Sequence, residues 1–384
     1  MHVLRQATRL LLLVLAIVVS ACTARQAEST VTIGVIAPQS GEFALLGEAA
    51  VNGVRLAVDE INSTTGLDVA GGRTRIVVRV EDDRGEALTA EMAVRKLVDA
   101  RAAAIIGPVQ PETAAAAAAA AQLAGIPLIV PAEGDPDLTA SRPLVFRVGV
   151  DDRLAGEAMA VYAFHTLHAR RAAVLFDGST PYNATLAKAF TSRFTSLGGA
   201  VVAQESFTDE RAVTDFRSHL ARIRAVRPDV LFSPNYYRAT AAVAVQAREL
   251  GLRAPLLSGE GVNSPDFPLI GGDAVEGTAF PVHFSADESR PVVVRFRARY
   301  RSTYQREPDA FAALAYDAAR LLLAALTQAA SAEPAAIRAA LLQTRNFPGV
   351  TGTITYDGSQ TPRKDVTILR VKNGAFSYET TVRP

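Results

Sequence analysis

Short runs of β-branched and aliphatic residues alternate along the chain with longer stretches whose apolar positions recur every three or four residues, the pattern of a mostly parallel sheet covered by helices. The spacing predicts a strand over 31–36 and a helix over 47–62, with Val51, Val54, Leu56, Val58 and Ile61 on its apolar face. A strand over 75–81, a helix ending at Val98 and a strand over 103–106 follow. The run 112–124 is dominated by alanine, which reads as a tightly packed helix because Ala is the best helix former and allows close approach. Strands over 127–130 and 145–148 complete this first unit.

From Asp151 the alternation restarts: helices over 156–167, 183–197, 215–225 and 240–250 interleave with strands over 172–177, 201–207, 230–233 and 255–257. This is a second doubly wound unit. A strand over 281–284, helices over 291–304, 309–329 and 334–343, and a pair of strands over 353–356 and 367–371 close the chain. The fold class expected is α/β, with two Rossmann-like lobes. A chain of 384 residues is longer than one core usually serves, which agrees with two domains.

The N-terminus adds an address. Arg5 and Arg9 precede an unbroken apolar run over 10–19, and small residues lead into Cys22, the sole cysteine. The run is too short to span a bilayer and has the grammar of a signal peptide. Its ending, Val19-Ser20-Ala21-Cys22, resembles a bacterial lipobox. That resemblance implies cleavage of a 1–21 leader, acylation of Cys22, a polar tether over 22–30 and attachment to the outer face of the cell membrane, in periplasm or wall space, by lipid chains. An ordinary secretory signal and an uncut anchor are the alternatives.

Charge changes the picture little. With 40 basic against 39 acidic residues and a net charge of +1, nothing points to nucleic acid or another polyanion, and a small neutral or zwitterionic partner is expected. Catalysis finds no support: His165, His168, His219 and His283 fall in no metal-ligand spacing, and neither a nucleophile elbow nor a phosphate loop is present. No cofactor or metal is expected.

A series of short words in order carries a family resemblance. These are Pro38-Gln39-Ser40-Gly41, Ala57 to Asn62, Glu81-Asp82-Asp83, Ile105-Ile106-Gly107-Pro108, Pro127 to Ala132 with Leu138-Thr139, Phe146-Arg147, Gln246 to Gly251, Gly259-Glu260-Gly261 and Ala315-Tyr316-Asp317-Ala318. Together they resemble the type I periplasmic substrate-binding proteins, specifically the branched-chain amino acid receptors of ABC importers, over nearly all of 31–384. The resemblance implies two lobes joined by a three-strand hinge, with crossovers near Gly149, Gly277 and Asp357. The N-terminal lobe is then 31–148 plus 278–356 and the C-terminal lobe 149–277 plus 357–384. It further implies a monomeric receptor that closes on a small solute and presents it to an ABC permease with its ATPase subunits. A sensor lipoprotein that reports a ligand to a membrane partner is the alternative.

Ligands of open α/β sheets sit beyond the carboxyl ends of the strands. Glu260, between two glycines after the 255–257 strand, can meet a ligand ammonium there, and the resemblance implies that role. Tyr182 and Tyr236 match aromatic positions of the second lobe, Phe311 matches a position that would touch the ligand side chain, and Leu46, also a candidate contact, stands near a position where the family often has a ring. The first lobe departs from the family pattern. Where hydroxyl residues hold a ligand carboxylate, this chain has Gln110, Pro111, Glu112 and Thr113, then Glu133, Gly134 and Asp135. The Thr113 hydroxyl and the Gly134 amide remain as donors. Either the acids face solvent as helix N-terminal charges, or the pocket takes an amide, an amine or another ligand without a free carboxylate.

Overall fold

The computed structural model describes residues 29–64, 66–69 and 72–384; the expected 1–21 leader, Cys22 and the tether up to residue 28 lie outside them. Strands β1 (Ser29–Ile36), β2 (Leu67–Val69), β3 (Gly72–Glu81), β4 (Ala104–Ile106), β5 (Leu128–Val130) and β6 (Val145–Arg147) form one sheet in the order β2-β3-β1-β4-β5-β6. All its pairings are parallel except β2 with β3. A second sheet contains β7 (Arg171–Asp177), β8 (Ala200–Phe207), β9 (Val230–Phe232), β10 (Leu256–Leu257) and β11 (Ala279–Val282). β12 (Phe347–Gly349), β13 (Gly352–Thr355) and β14 (Arg363–Lys364) make a small antiparallel sheet. β15 (Val366–Lys372) and β16 (Ala375–Val382) extend the second sheet, which runs β16-β15-β11-β10-β9-β7-β8. In both large sheets the parallel strands reverse their winding once, between β1 and β4 and between β7 and β9, and a crevice opens at each such switch point.

Each large sheet is covered on both faces. Helices Ala44–Asn62 and Ala310–Ala329 bury their apolar sides on one face of the first sheet, and Ala87–Asp99 and the alanine-rich Pro111–Ala124 on the other. In the second sheet Asp152–Val161 and Pro181–Ser196 lie opposite Arg217–Ala225 and Tyr237–Glu249. Parallel strands buried on both faces explain why their sequences read as short continuous apolar runs and not as alternating ones.

Two of the three expected crossover positions move. Val148 packs in the first lobe's core and Val150 in the second's, on either side of Gly149. The second crossing is not at Gly277: β11 pairs with β10 and β15 in the second sheet, so the chain returns only after Val282, and Phe284 is in the first lobe's core. The third crossing is not at Asp357 either, because β14 still pairs with β13 while β15 enters the second sheet. The strands expected as a pair over 353–356 and 367–371 therefore belong to different sheets. A two-residue strand such as β14 leaves no periodic signal, so the apolar run of β15 looked like the return arm of a hairpin.

Polar groups bind the crossings together. Lys364 is buried; its Nζ donates to the Val148 carbonyl at 3.1 Å and to the Thr351 hydroxyl. The Tyr356 hydroxyl donates to the Arg147 carbonyl at 2.8 Å, and the Arg147 amide donates to the Gln360 carbonyl at 3.0 Å. Asp317, also buried, accepts from the Val350 and Thr351 amides at 2.9 and 2.8 Å.

Helices Ala44–Asn62 and Ala310–Ala329 touch through backbone at Gly53, where an added Cβ would stand 2.1 Å from the Ala312 carbonyl oxygen. Backbone on both sides leaves no flexible atom to yield. Replacement of Gly53 by Val is expected to destabilise the protein by about 1–3 kcal/mol through overpacking, read as a lower urea midpoint. An unchanged midpoint would mean the two helices separate freely.

Candidate ligand-binding cleft

Loops at the carboxyl ends of strands from both sheets line one cavity of about 430 Å³. Pro111 follows β4; Glu133, Gly134 and Asp135 follow β5; Val150, Asp152 and Ala155 follow β6 and the first crossing. From the second sheet come Tyr182 after β7, Tyr236 after β9, Glu260 after β10 and His283 after β11. A larger depression of about 940 Å³ lies along Asp177, Glu210, Arg211 and Tyr237, wholly on the second lobe. Of these two, the smaller cavity is the one shared by the lobes, and it gathers loops from the carboxyl ends of strands in both sheets.

Glu260 opens a short 3-10 turn directly after β10. Its side chain is about 35% exposed, its Oε2 stands 3.3 Å from His283 Nε2, and burial raises its carboxyl to about 7. Burial, helped by the Lys364 and Arg147 charges, pushes His283 down to about 3, so the ring stays neutral at physiological pH. The neutral ring forms no ion pair with Glu260, and its Nδ1 is buried without a partner.

Tyr182 is fixed by its hydroxyl, which accepts from the Gly261 amide at 2.9 Å. Burial, then the nearby Glu260 and Asp152 charges, hold this phenol well above its ordinary range. The Tyr236 ring lies 5.4 Å from the Tyr182 ring, centroid to centroid and tilted by 36°, and is 45% exposed. Two neutral rings therefore form one wall.

The first-lobe wall is acidic. Glu133 is only 7% exposed; its Oε1 accepts from the Asp135 amide at 2.8 Å while Oε2 has no partner, and burial raises its pKa. Gly134 accepts the Asp152 amide at its carbonyl, and a Cβ on Gly134 would stand 2.3 Å from Asp152 Oδ1. Glycine at 134 is thus what admits the Asp152 carboxyl. Burial, then the charges of Asp151 and Glu133, raises Asp152 to about 7, with Glu260 adding to the effect and Arg147 opposing it. The Arg147 guanidinium is buried beneath the loop and donates to the carbonyls of Glu133 and Asp135.

Of the residues the sequence suggested, Glu260, Tyr182, Tyr236, Glu133 and Gly134 line the cavity. Thr113, Gln110, Phe311 and Leu46 lie outside it. Thr113 is fully buried and its hydroxyl donates to the Gln110 carbonyl, so it is not a free donor to the cleft. The side-chain oxygen of Gln110 is buried against Gly85. Phe311 and Leu46 pack on the first lobe's core. Asp152 and His283 were missed. Asp152 follows Asp151, which caps its helix by accepting from the Leu154 amide at 2.7 Å, and two acids at a helix start read as capping. His283 was hidden because β11 was expected to start two residues later and to run through it.

Comparison with known proteins agrees with this geometry. The model of a periplasmic binding protein family matches residues 30–375. The chain is 30% identical to the Leu/Ile/Val-binding protein BraC3 of Rhizobium johnstonii over 344 residues, covering 88% of this chain and 91% of the relative. It resembles the solved leucine-binding protein LivK of Thermotoga maritima at 33% identity and a TM-score of 0.71, covering 92% of this chain and 99% of that one. It also resembles the branched-chain amino acid substrate-binding protein LivJ of Streptococcus pneumoniae, solved with isoleucine, at 30% identity and a TM-score of 0.69, covering 93% and 100%. The chain belongs to the type I periplasmic binding proteins, in the branched-chain amino acid group of solute receptors.

Proposed function

We propose that the protein is the extracytoplasmic, lipid-anchored solute receptor of an ABC importer, and that it closes its two lobes on a small organic solute bearing an ammonium group. The observation that carries this reading is a cavity shared by the carboxyl ends of both sheets, with the part-buried Glu260 carboxyl set beside two tyrosine rings. A carboxylate in such a place favours a cation, and the rings cover apolar carbon while excluding water. Closure about the three crossings would join residues of both lobes around the solute, so that a permease distinguishes loaded from empty receptor by shape. The BraC3 name assigns leucine, isoleucine and valine binding to that relative; the solute here is of comparable size, within about 430 Å³. The function calls for no chemical step.

Thermal unfolding of the protein against a panel of amino acids, amides and amines tests the reading. A bound solute at about 100 times its Kd stabilises the native state by about 2.7 kcal/mol, and a panel without any shift would count against a receptor. Glu260→Gln is expected to weaken binding at least about tenfold, since it leaves a buried ammonium unpaired, while Tyr182→Phe costs about fivefold through loss of the Gly261 hydrogen bond. Isothermal titration measures both; a Glu260→Gln protein that binds undiminished would move the ammonium site elsewhere. For the anchor, Cys22→Ser is expected to release the protein from the membrane fraction and abolish fatty-acid labelling in cells. Labelling that survives this change would remove the lipid reading.

A further inference from the structure

Several of the groups with which the first lobe could hold an anion are engaged within the protein or lack an N–H. Pro111, where the helix after β4 begins, has no N–H, and the Thr113 hydroxyl is turned inward. The Asp135 amide donates to Glu133 Oε1, and the Arg147 guanidinium donates to the carbonyls of Glu133 and Asp135. Glu133 therefore fills, with its own carboxylate, a position in which a solute's carboxylate could have met the loop amides. Its second oxygen, Oε2, is buried and lacks a partner, and Glu133 is one of the residues that line the cavity. Asp152 brings a further carboxyl over Gly134 from the start of the next lobe's first helix. Among the described residues no three His, Cys, Asp or Glu side chains stand together as a metal site.

We propose that the cleft selects an organic cation without a free carboxylate, its ammonium shared among Glu260, Asp152 and Glu133 and its carbon chain laid against Tyr182 and Tyr236. The assignment deepens the receptor reading and rests on it. An unpaired buried carboxylate oxygen accepts what an ammonium supplies, three donors of fixed positive charge, and the tyrosine faces add cation–π attraction. A carboxylate at the same place would face three acids and find no free cation.

The proton balance gives the assignment a sign. Burial raises Glu260 and Asp152 each to about 7. Glu260 faces His283, Tyr182 and Asp152, and Asp152 faces Asp151, Glu133, Arg147, Tyr182 and Tyr236 as well. His283, at about 3, stays neutral through the neutral range. An arriving ammonium favours the ionised carboxylates, so binding releases protons and tightens as pH rises through 7. A solute carboxylate held by the protonated acids would show the opposite slope, weakening as pH rises.

The test is isothermal titration of the purified full-length chain with leucine, leucinamide and 1,4-diaminobutane at pH 6, 7 and 8. The expected result is that leucinamide or 1,4-diaminobutane binds at least 100-fold tighter than leucine, that its affinity rises at least threefold from pH 6 to 8, and that Asp152→Asn lowers it tenfold or more. Ligand-free thermal unfolding of the Asp152→Asn protein separates a lost site from a lost fold, and Glu133→Gln provides a second variant with the same expectation. Leucine bound as tightly as leucinamide, or an affinity that falls as pH rises, would overturn the cation assignment and leave the receptor standing. If none of the three binds, the assignment also fails. A broader screen then decides the receptor: a carboxylate-bearing solute whose binding Glu260→Gln removes would keep it, and silence across the screen would end both readings.

Discussion

The cleft depends on one buried polar cluster that holds the first and third crossings of the chain in register. Lys364, at the third crossing, reaches the first through the Val148 carbonyl and also donates to the Thr351 hydroxyl, while Tyr356 and Gln360 bind the backbone of Arg147. A buried amine or carbonyl left without a partner costs about 1–3 kcal/mol, so the cluster is maintained as a unit. Burial drives the Lys364 amine down to about 8, despite the attraction of Asp317, and marks how dry this place is. Such a hinge restricts the lobes to moving about the crossings, a motion along which Glu133 of the first lobe approaches or leaves Asp152 and Glu260 of the second. Val148, anchored by Lys364, lies two residues before Val150 of the cleft.

Electrostatics in the cleft is set by burial more than by the net charge of the chain. The protein carries +1 overall, yet the solute meets carboxyls from both lobes and a histidine kept neutral. Two unit charges 4 Å apart interact by about 4 kcal/mol at the effective dielectric of a protein surface, which exceeds what most single hydrogen bonds contribute. Burial raises both Glu260 and Asp152 to about 7, and for Asp152 the charges of Asp151 and Glu133 add to it. The cleft thereby favours a group that restores their charge. Arg147 is close enough to moderate Asp152, but its two terminal nitrogens donate to carbonyls of the loop and the residue is not among those that line the cavity, so it supports the loop.

Much of the architecture was legible in residue order. Alternating short apolar runs and 3.6-periodic stretches dictate βα units, and βα units joined in sequence dictate parallel strands with loops collected at one edge. From that alone Glu260, Tyr182, Tyr236, Glu133 and Gly134 fall at the carboxyl edge. The same logic failed where length ran out: β14 has two residues, too few for a period, and the sheet to which β11 and β15 belong depends on which edge is free. Thr113 and Phe311 lie beside the right loops, but a loop's position does not tell which way a side chain turns.

What the sequence by itself determined is the two-lobed α/β plan, the edge on which a ligand is met and the presence of acids where this family holds a carboxylate. What only the tertiary structure decided is the meaning of those acids. Asp152 reaches Gly134 from the far side of a crossing, and His283 meets Glu260 through the pairing of β11 with β10. The physical reason is that periodicity reports which face of an element is buried, a local property, whereas ionisation in a cleft depends on distances between groups far apart in the chain, and these exist only once the lobes are assembled.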